Sequence, residues 1–155
     1  MLQEGNKAPL SIKIKDSDGA AVSLRDYKGK RVVLYFYPTD DTTGCTVEAL
    51  QFRDWSKDIG KLGAVVIGVS KDSPKSHIKF STKYKLNFPL WSDEGLQLIK
   101  SFGVWQKKKF MGREYMGTIR STFVIGERGK IMKVFPKVTP KNHGEEIFNF
   151  LKEIK

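Results

Sequence analysis

Apolar positions change period several times along the chain. Residues 32–37 (Val-Val-Leu-Tyr-Phe-Tyr) and 64–69 (Ala-Val-Val-Ile-Gly-Val) are short apolar runs, as expected of strands buried on both faces. Between them, Ala49, Phe52 and Ile59 follow Cys45 at 4, 7 and 14 positions, which describes one face of a helix reaching to about Gly60. Ser73-Pro74 places a capping residue and a first-turn proline ahead of a helix through Tyr84. Residues 11–14 and 21–24 flank Asp18-Gly19 and predict an N-terminal hairpin. Residues 88–90 read as a short extended piece, 96–102 as a helix opened by Asp93-Glu94-Gly95, and 119–125 with 130–135 as a hairpin around Glu127-Arg128-Gly129. A helix over 144–155 closes the chain. Strand, helix, strand, helix, then a terminal hairpin and helix predict one α/β layered domain over 1–155, with a central mixed sheet flanked by helices.

Composition agrees with that reading. At 155 residues and 39% hydrophobic, the chain can bury a core without staples. The longest apolar runs span six residues and cannot cross a bilayer. The first residues lack a basic segment leading into an apolar run, so a cytoplasmic location is the expectation. The formal charge is 28 − 17 = +11, and residues 95–141 hold 11 basic and 2 acidic side chains, a net +9. In Lys130-Ile131-Met132-Lys133-Val134-Phe135 the lysines are interrupted by apolar residues at strand-like spacing, which predicts a solvated sheet edge. Lys107-Lys108-Lys109 reads as a solvated loop able to attract acidic partners. No zinc-finger, helix-turn-helix or RNA-binding aromatic pattern accompanies the charge, so nucleic acid is not an expected partner.

Cys45 is the single cysteine, which forbids an intrachain disulfide and suits a reducing compartment. It lies just past a buried strand, in the first turn of the predicted helix, where open α/β sheets tend to place chemistry. Exposed N–H groups and the positive helix end favour a thiolate there, with Thr42 or Thr43 expected to cap the turn. Position alone leaves open the plainer reading of a small buried hydrophobe.

Pro38, Thr42 and Cys45, as Pro-x-x-x-Thr-x-x-Cys, resemble the active-site motif of the peroxiredoxins, thiol peroxidases with a thioredoxin-like fold. Thr43-Gly44-Cys45-Thr46-Val47-Glu48-Ala49, Phe52-Arg53-Asp54, Ser92-Asp93, Phe102-Gly103-Val104-Trp105 and Phe110-Met111-Gly112-Arg113 are similar to the bacterioferritin comigratory protein, or peroxiredoxin Q, subfamily. The resemblance covers nearly the whole chain, in order. It implies that Pro38, Thr42, Cys45 and Arg120 form the catalytic set, that Gly44 contributes an amide, and that Glu48 helps hold an arginine. The alternative for Glu48 is an ordinary exposed first-turn acid, and for Arg120 a surface strand arginine. The implied reaction reduces hydrogen peroxide and organic hydroperoxides and needs no cofactor.

One departure matters. Many subfamily members carry a second cysteine five residues after the first, where this chain has Leu50. An external thiol is therefore expected to resolve oxidised Cys45: glutathione, a thioredoxin-type protein or another subunit's Cys45. A monomer or weak dimer is expected. His77 and His143 are too isolated to suggest a metal and are expected at the surface. Trp55, Trp91 and Trp105 are expected to pack rather than bind a cofactor. Two other function classes are a cationic nucleic-acid-binding protein, which needs the basic segment to form one face, and a non-catalytic thioredoxin-fold binding module, against which the intact motif counts.

Overall fold

The computed structural model describes residues 1–154; the last residue of the predicted C-terminal helix, Lys155, lies outside them. The strands are β1 (Ile14–Asp16), β2 (Ala21–Val22), β3 (Arg31–Phe36), β4 (Ala64–Ser70), β5 (Leu90–Ser92), β6 (Trp105–Phe110), β7 (Arg113–Thr118), β8 (Ser121–Ile125) and β9 (Ile131–Phe135). The helices are α1 (Thr43–Lys61), α2 (Pro74–Tyr84), α3 (Gln97–Ser101) and α4 (His143–Glu153), with 3₁₀ turns at Leu24–Tyr27 and Pro140–Asn142. Seven strands form one sheet in the order β2-β1-β5-β4-β3-β8-β9. Its centre, β3-β4-β5, is parallel, and the pairs on either side are antiparallel. This is the mixed sheet flanked by helices that the alternation of periods predicts.

Both apolar runs sit at the sheet centre because each presents alternate residues to two covered faces. Val32, Leu34 and Phe36 of β3 join one apolar cluster with Leu98, Ile99 and Phe102 from α3 and its C-terminal end. Val33, Tyr35 and Tyr37 join the other, with Ala49, Phe52 and Ile59 of α1, Phe80 of α2, and Ile147 and Leu151 of α4. The α2 start is as read: the Ser73 hydroxyl accepts from the Ser76 amide at 3.2 Å, and Pro74 occupies the first turn. The basic strand β9 lies at the sheet edge, as its alternation implies. Among the described residues no helix is long and apolar enough to cross a membrane.

Three expectations need correction. Lys107-Lys108-Lys109 is not a loop: the three lysines lie in β6, paired antiparallel with β7 in a two-stranded ribbon. Its turn is the two-residue Met111-Gly112, with φ of 51° and 78°, which matches the twist of an antiparallel pair. Consecutive lysines hide the alternation, and Met-Gly is a weaker turn signal than Asn-Gly. Leu24 belongs to a 3₁₀ turn rather than to the N-terminal hairpin, whose pairing is confined to Ile14↔Val22 and Lys15↔Ala21. Neither histidine is at the surface. His77 and His143 are fully buried.

The last of these links the C-terminal helix to α1. The His143 Nε2 accepts from the Thr122 hydroxyl on β8 and its Nδ1 donates to Glu146, both at 2.7 Å. Burial pushes its ionisation below the usual value despite Glu146, which suits a neutral ring wedged between Phe52 and Phe135. Next to it, a Cβ on Gly144 would stand 2.7 Å from the Gln51 carbonyl oxygen and 2.7 Å from Trp55 Cδ1. The α1 backbone cannot yield locally without disturbing the helix that carries Cys45. Gly144→Ala is therefore expected to lower stability by about 1–3 kcal/mol. A denaturant midpoint equal to that of the parent would show that α4 is less tightly seated on α1 than this packing implies.

Candidate active site

Strand β3 ends at Phe36, and the chain turns through residues 37–42 before α1 begins. Thr42 takes the N-cap position with extended backbone, and its carbonyl accepts the first helical hydrogen bond from Thr46 at 2.8 Å. The expected side-chain cap is absent. The Thr42 hydroxyl instead donates to the Thr39 carbonyl at 3.2 Å, and Thr42 stays exposed at the mouth of the turn. Cys45 follows in the first helical turn, 1% exposed and part of the apolar cluster with Tyr35, Ala49 and Phe52. Pro38 is half-buried in the bend directly after Tyr37.

Arg120 enters this turn from the neighbouring strand, immediately before β8, whose Ser121 pairs with Phe36 at the end of β3. Its Nη2 donates to Cys45 Sγ at 3.4 Å and its Nη1 to Glu48 Oε1 at 2.8 Å. Gly44 makes the approach possible, since a Cβ there would lie 3.0 Å from Arg120 Nη2. Glu48 is thus no exposed first-turn acid. It is fully buried, its Oε2 has no hydrogen-bond partner among the described residues, and burial raises its ionisation to about 7 against the pull of Arg120. For Arg120, burial opposes the charge, but Glu48 and Cys45 outweigh it and raise its ionisation further. The Tyr35 hydroxyl is likewise buried and has no hydrogen-bond partner among the described residues; burial, then Glu48 and Cys45, holds it well above the usual phenol range, so it is a neutral wall of the site.

The turn itself is clamped by α2, through residues the motif does not include. Asp40 accepts on Oδ1 from the Tyr37 hydroxyl at 2.6 Å, and on Oδ2 from the Ser76 hydroxyl at 2.8 Å and His77 Nδ1 at 2.7 Å. His77 Nε2 lies 2.9 Å from the Trp91 carbonyl, so the ring bridges the Asp40 carboxylate and the β5 backbone. The Asp40 amide donates to Asp72. At the other end of α2, Lys83 and the Tyr84 hydroxyl both reach Asp41, which sits at φ 58°. A signal for His77 was present in the spacing, because it shares the i, i+3, i+7 stripe with Phe80 and Tyr84. Leu50 is half-buried on α1. Among the described residues no three metal-ligating side chains converge.

Removing His77 would take a polar partner from the buried Asp40 carboxylate and from the buried Trp91 carbonyl. His77→Leu is expected to cost about 3 kcal/mol of stability and to loosen residues 38–42. Urea unfolding and hydrogen exchange of that turn check it; a loss under about 1 kcal/mol, with unchanged exchange, would mean the clamp does not hold the turn.

Comparison with known proteins places this geometry. The AhpC/TSA family model matches residues 5–134. The chain is 46% identical to peroxiredoxin Bcp of Bacillus subtilis over 153 residues, covering 99% of this chain and 97% of that one. It is 43% identical over 152 residues to peroxiredoxin Bcp of Escherichia coli, covering 98% and 97%. Among solved structures, a peroxiredoxin Q mutant of Xylella fastidiosa superposes with a TM-score of 0.94 at 35% identity, covering 99% of this chain and 98% of that one. The bacterioferritin comigratory protein of Xanthomonas campestris gives 0.88 at 36%, covering 94% and 92%. The protein folded around Cys45 therefore belongs to the AhpC/TSA family and, within it, to the thioredoxin-fold thiol peroxidases of the peroxiredoxin Bcp and peroxiredoxin Q kind.

Proposed function

We propose that residues 1–155 act as one domain, a single-cysteine peroxidase that reduces hydrogen peroxide and organic hydroperoxides at Cys45 and is returned to its thiol form by an external thiol. The observation that carries this reading is the Arg120 guanidinium, which contacts the Cys45 sulfur while Glu48 holds its other arm. The Cys45 thiolate attacks one peroxide oxygen, the O–O bond breaks, and sulfenic acid forms as the departing oxygen leaves as water or alcohol. Negative charge passes from sulfur to oxygen during that step, and Arg120 reaches the sulfur from which it starts. The Thr42 hydroxyl, as donor and acceptor, bridges the peroxide oxygens, the Gly44 and Cys45 amides supply further donors, and Pro38 shields the sulfur from bulk water.

Magnitudes explain why several groups are needed. A free thiol of pKa about 8.5 is ~3% ionised at neutral pH, so complete ionisation gains only about 30-fold, or ~2 kcal/mol. Oriented donors at the breaking bond supply the remainder, each worth roughly 3 kcal/mol at comparable oxyanion sites. A reducing compartment such as the cytoplasm keeps a lone cysteine in the required form. The nucleic-acid reading gains no support from the fold: the basic segment is spread over α3, the β6–β7 ribbon, β9 and the turns between them, and Arg120 is turned inward to Glu48.

Intact mass after one equivalent of peroxide tests the assignment. The parent is expected to gain one oxygen atom, to convert to a mixed disulfide with added thiol, and to take up a second oxygen in excess peroxide; Cys45→Ser is expected to gain none. An unoxidised parent, or a monomer two hydrogens lighter, would overturn it.

Glu48 adds a pH dependence of defined sign. The folded protein retains a Glu48 proton that the unfolded chain releases between its ordinary 4.5 and about 7, so this group favours folding at low pH and the contribution is lost as pH rises through about 7. Activity runs the other way, because only the carboxylate pairs with Arg120 as an ion. The second-order rate with peroxide is expected to fall as pH drops through about 7. In Glu48→Gln that limb is expected to vanish, at a lower plateau; a parent-like pH profile in the variant would remove Glu48 from the role of holding Arg120.

A further inference from the structure

All four methionines of the chain, Met1, Met111, Met116 and Met132, are exposed, and none belongs to either apolar cluster of the core. Methionine is ordinarily the flexible residue that fills gaps in a core, so its distribution here runs against its usual use. Met111 departs furthest. It sits at the turn of the β6–β7 ribbon with 88% of its surface in water. Its φ of 51° lies in the left-handed region, which a residue with a Cβ enters at a cost and which a two-residue hairpin turn fills best with Asn or Gly. Gly112, at φ 78°, supplies the second half of the turn, and Phe110 pairs with Arg113 across it. Folding gains nothing from a thioether at this position: apolar area is left in solvent and the backbone conformation is unfavourable. An outlier of this kind points to a use of the side chain itself.

The other thioethers are less open. Met116, on β7 across from Lys107, is 48% exposed. Met132, on β9, is 36% exposed, and its Sδ lies against Gly126, where a Cβ would stand 3.1 Å from it. The difference matters because sulfoxidation turns an apolar side chain into a polar one. A packed methionine disrupts its surroundings when this happens. Met111 has no packing to disrupt, so oxygen can be added there and removed again while the ribbon and the main sheet stay as they are.

We infer that Met111 is a second oxidation site of the protein, a thioether held clear of the fold that peroxide converts to the sulfoxide and that methionine sulfoxide reductases return. A sulfur lone pair attacks the hydroxyl oxygen of the peroxide, and an S–O bond forms as the O–O bond breaks. The proton of that oxygen passes to the departing one, which leaves as water or alcohol. Sulfur is oxidised by two electrons and the peroxide is reduced by two. In the return step the sulfoxide oxygen leaves as water, two thiols become a disulfide, and the thioether is restored. A neutral thioether is a weaker nucleophile than a thiolate, so the site is oxidised only in sustained excess of peroxide, and one equivalent leaves it untouched. It uses no residue of the Cys45 centre and does not depend on how that centre is read.

The full chain carrying Cys45→Ser isolates the methionines. It is held in excess hydrogen peroxide, and peptide masses report the sulfoxide at each position over time. Met111 is expected to gain oxygen first, about threefold or more faster than Met116, with Met132 slower still. While Met111 alone is oxidised, the urea midpoint is expected to stay at its starting value. Methionine sulfoxide reductases A and B, which take one sulfoxide epimer each, are expected with dithiothreitol to remove the oxygen from the folded protein. In the same background Met111→Asn, the residue the turn favours, is expected to shift the folding equilibrium toward the native state about twofold or more and to abolish the early oxygen gain. Oxidation of Met111 no faster than that of Met116, a midpoint lowered by its sulfoxide, resistance to both reductases, or a Met111→Asn chain no more stable than its background would each overturn the inference. So would a chain that sediments as a dimer and oxidises at Met111 only on dilution, since the ribbon turn would then be covered by a second copy.

Discussion

Arg120 reaches the interior carrying a charge that has to be satisfied there, and much of the site follows from how this is done. One arm meets the Glu48 carboxylate and the other the Cys45 sulfur, so a single guanidinium ties the strand entering β8 to the first turns of α1. Burial costs both members of the ion pair, and the geometry resolves the cost unequally. Arg120 keeps its proton under all ordinary conditions, while Glu48, with one oxygen unpartnered, is left with an ionisation near neutrality. The sulfur is thereby presented with a permanent cation and a conditional anion.

A second polar assembly, built around Asp40, lies on the other side of the same turn. Its carboxylate gathers three donors, two of them from α2, and the neighbouring Asp41 is tethered to the far end of that helix. The turn bearing Pro38 and Thr42 is thus held between a helix it does not belong to and a helix it begins. In a fully apolar environment such donors and acceptors would be expensive; here each of the three side chains on Asp40 has its partner, and the network specifies one arrangement of the turn.

Lys108, bonded to the Thr118 carbonyl, ties the β6–β7 ribbon to the segment that leads to Arg120. Because β6 and β7 pair with each other alone, their two faces can differ in charge without disturbing the main sheet. A sheet strand buried on both sides has no such freedom.

Much of this was legible in the order of residues. The six-residue apolar runs determine the central strands, because no other element buries every side chain over so short a length, and Ser73-Pro74 marks a helix start by its own chemistry. Pro38, Thr42, Gly44 and Cys45 lie within one turn and one helix start, so local spacing was enough to bring them together. Glu48 one helical turn later is also local, but its burial is not: an acid on a helix is ordinarily solvated, and Arg120, 72 residues away, is what makes its position tenable. The same reason explains the histidines. A polar ring at an inward helical position has no stable place until a distant acceptor or donor meets it, Asp40 and Trp91 for His77, Thr122 for His143. Periodicity and turn chemistry act over a few residues and are fully present in the sequence; the compensation of buried charge and polarity acts between segments far apart in the chain, and only the tertiary structure decides it.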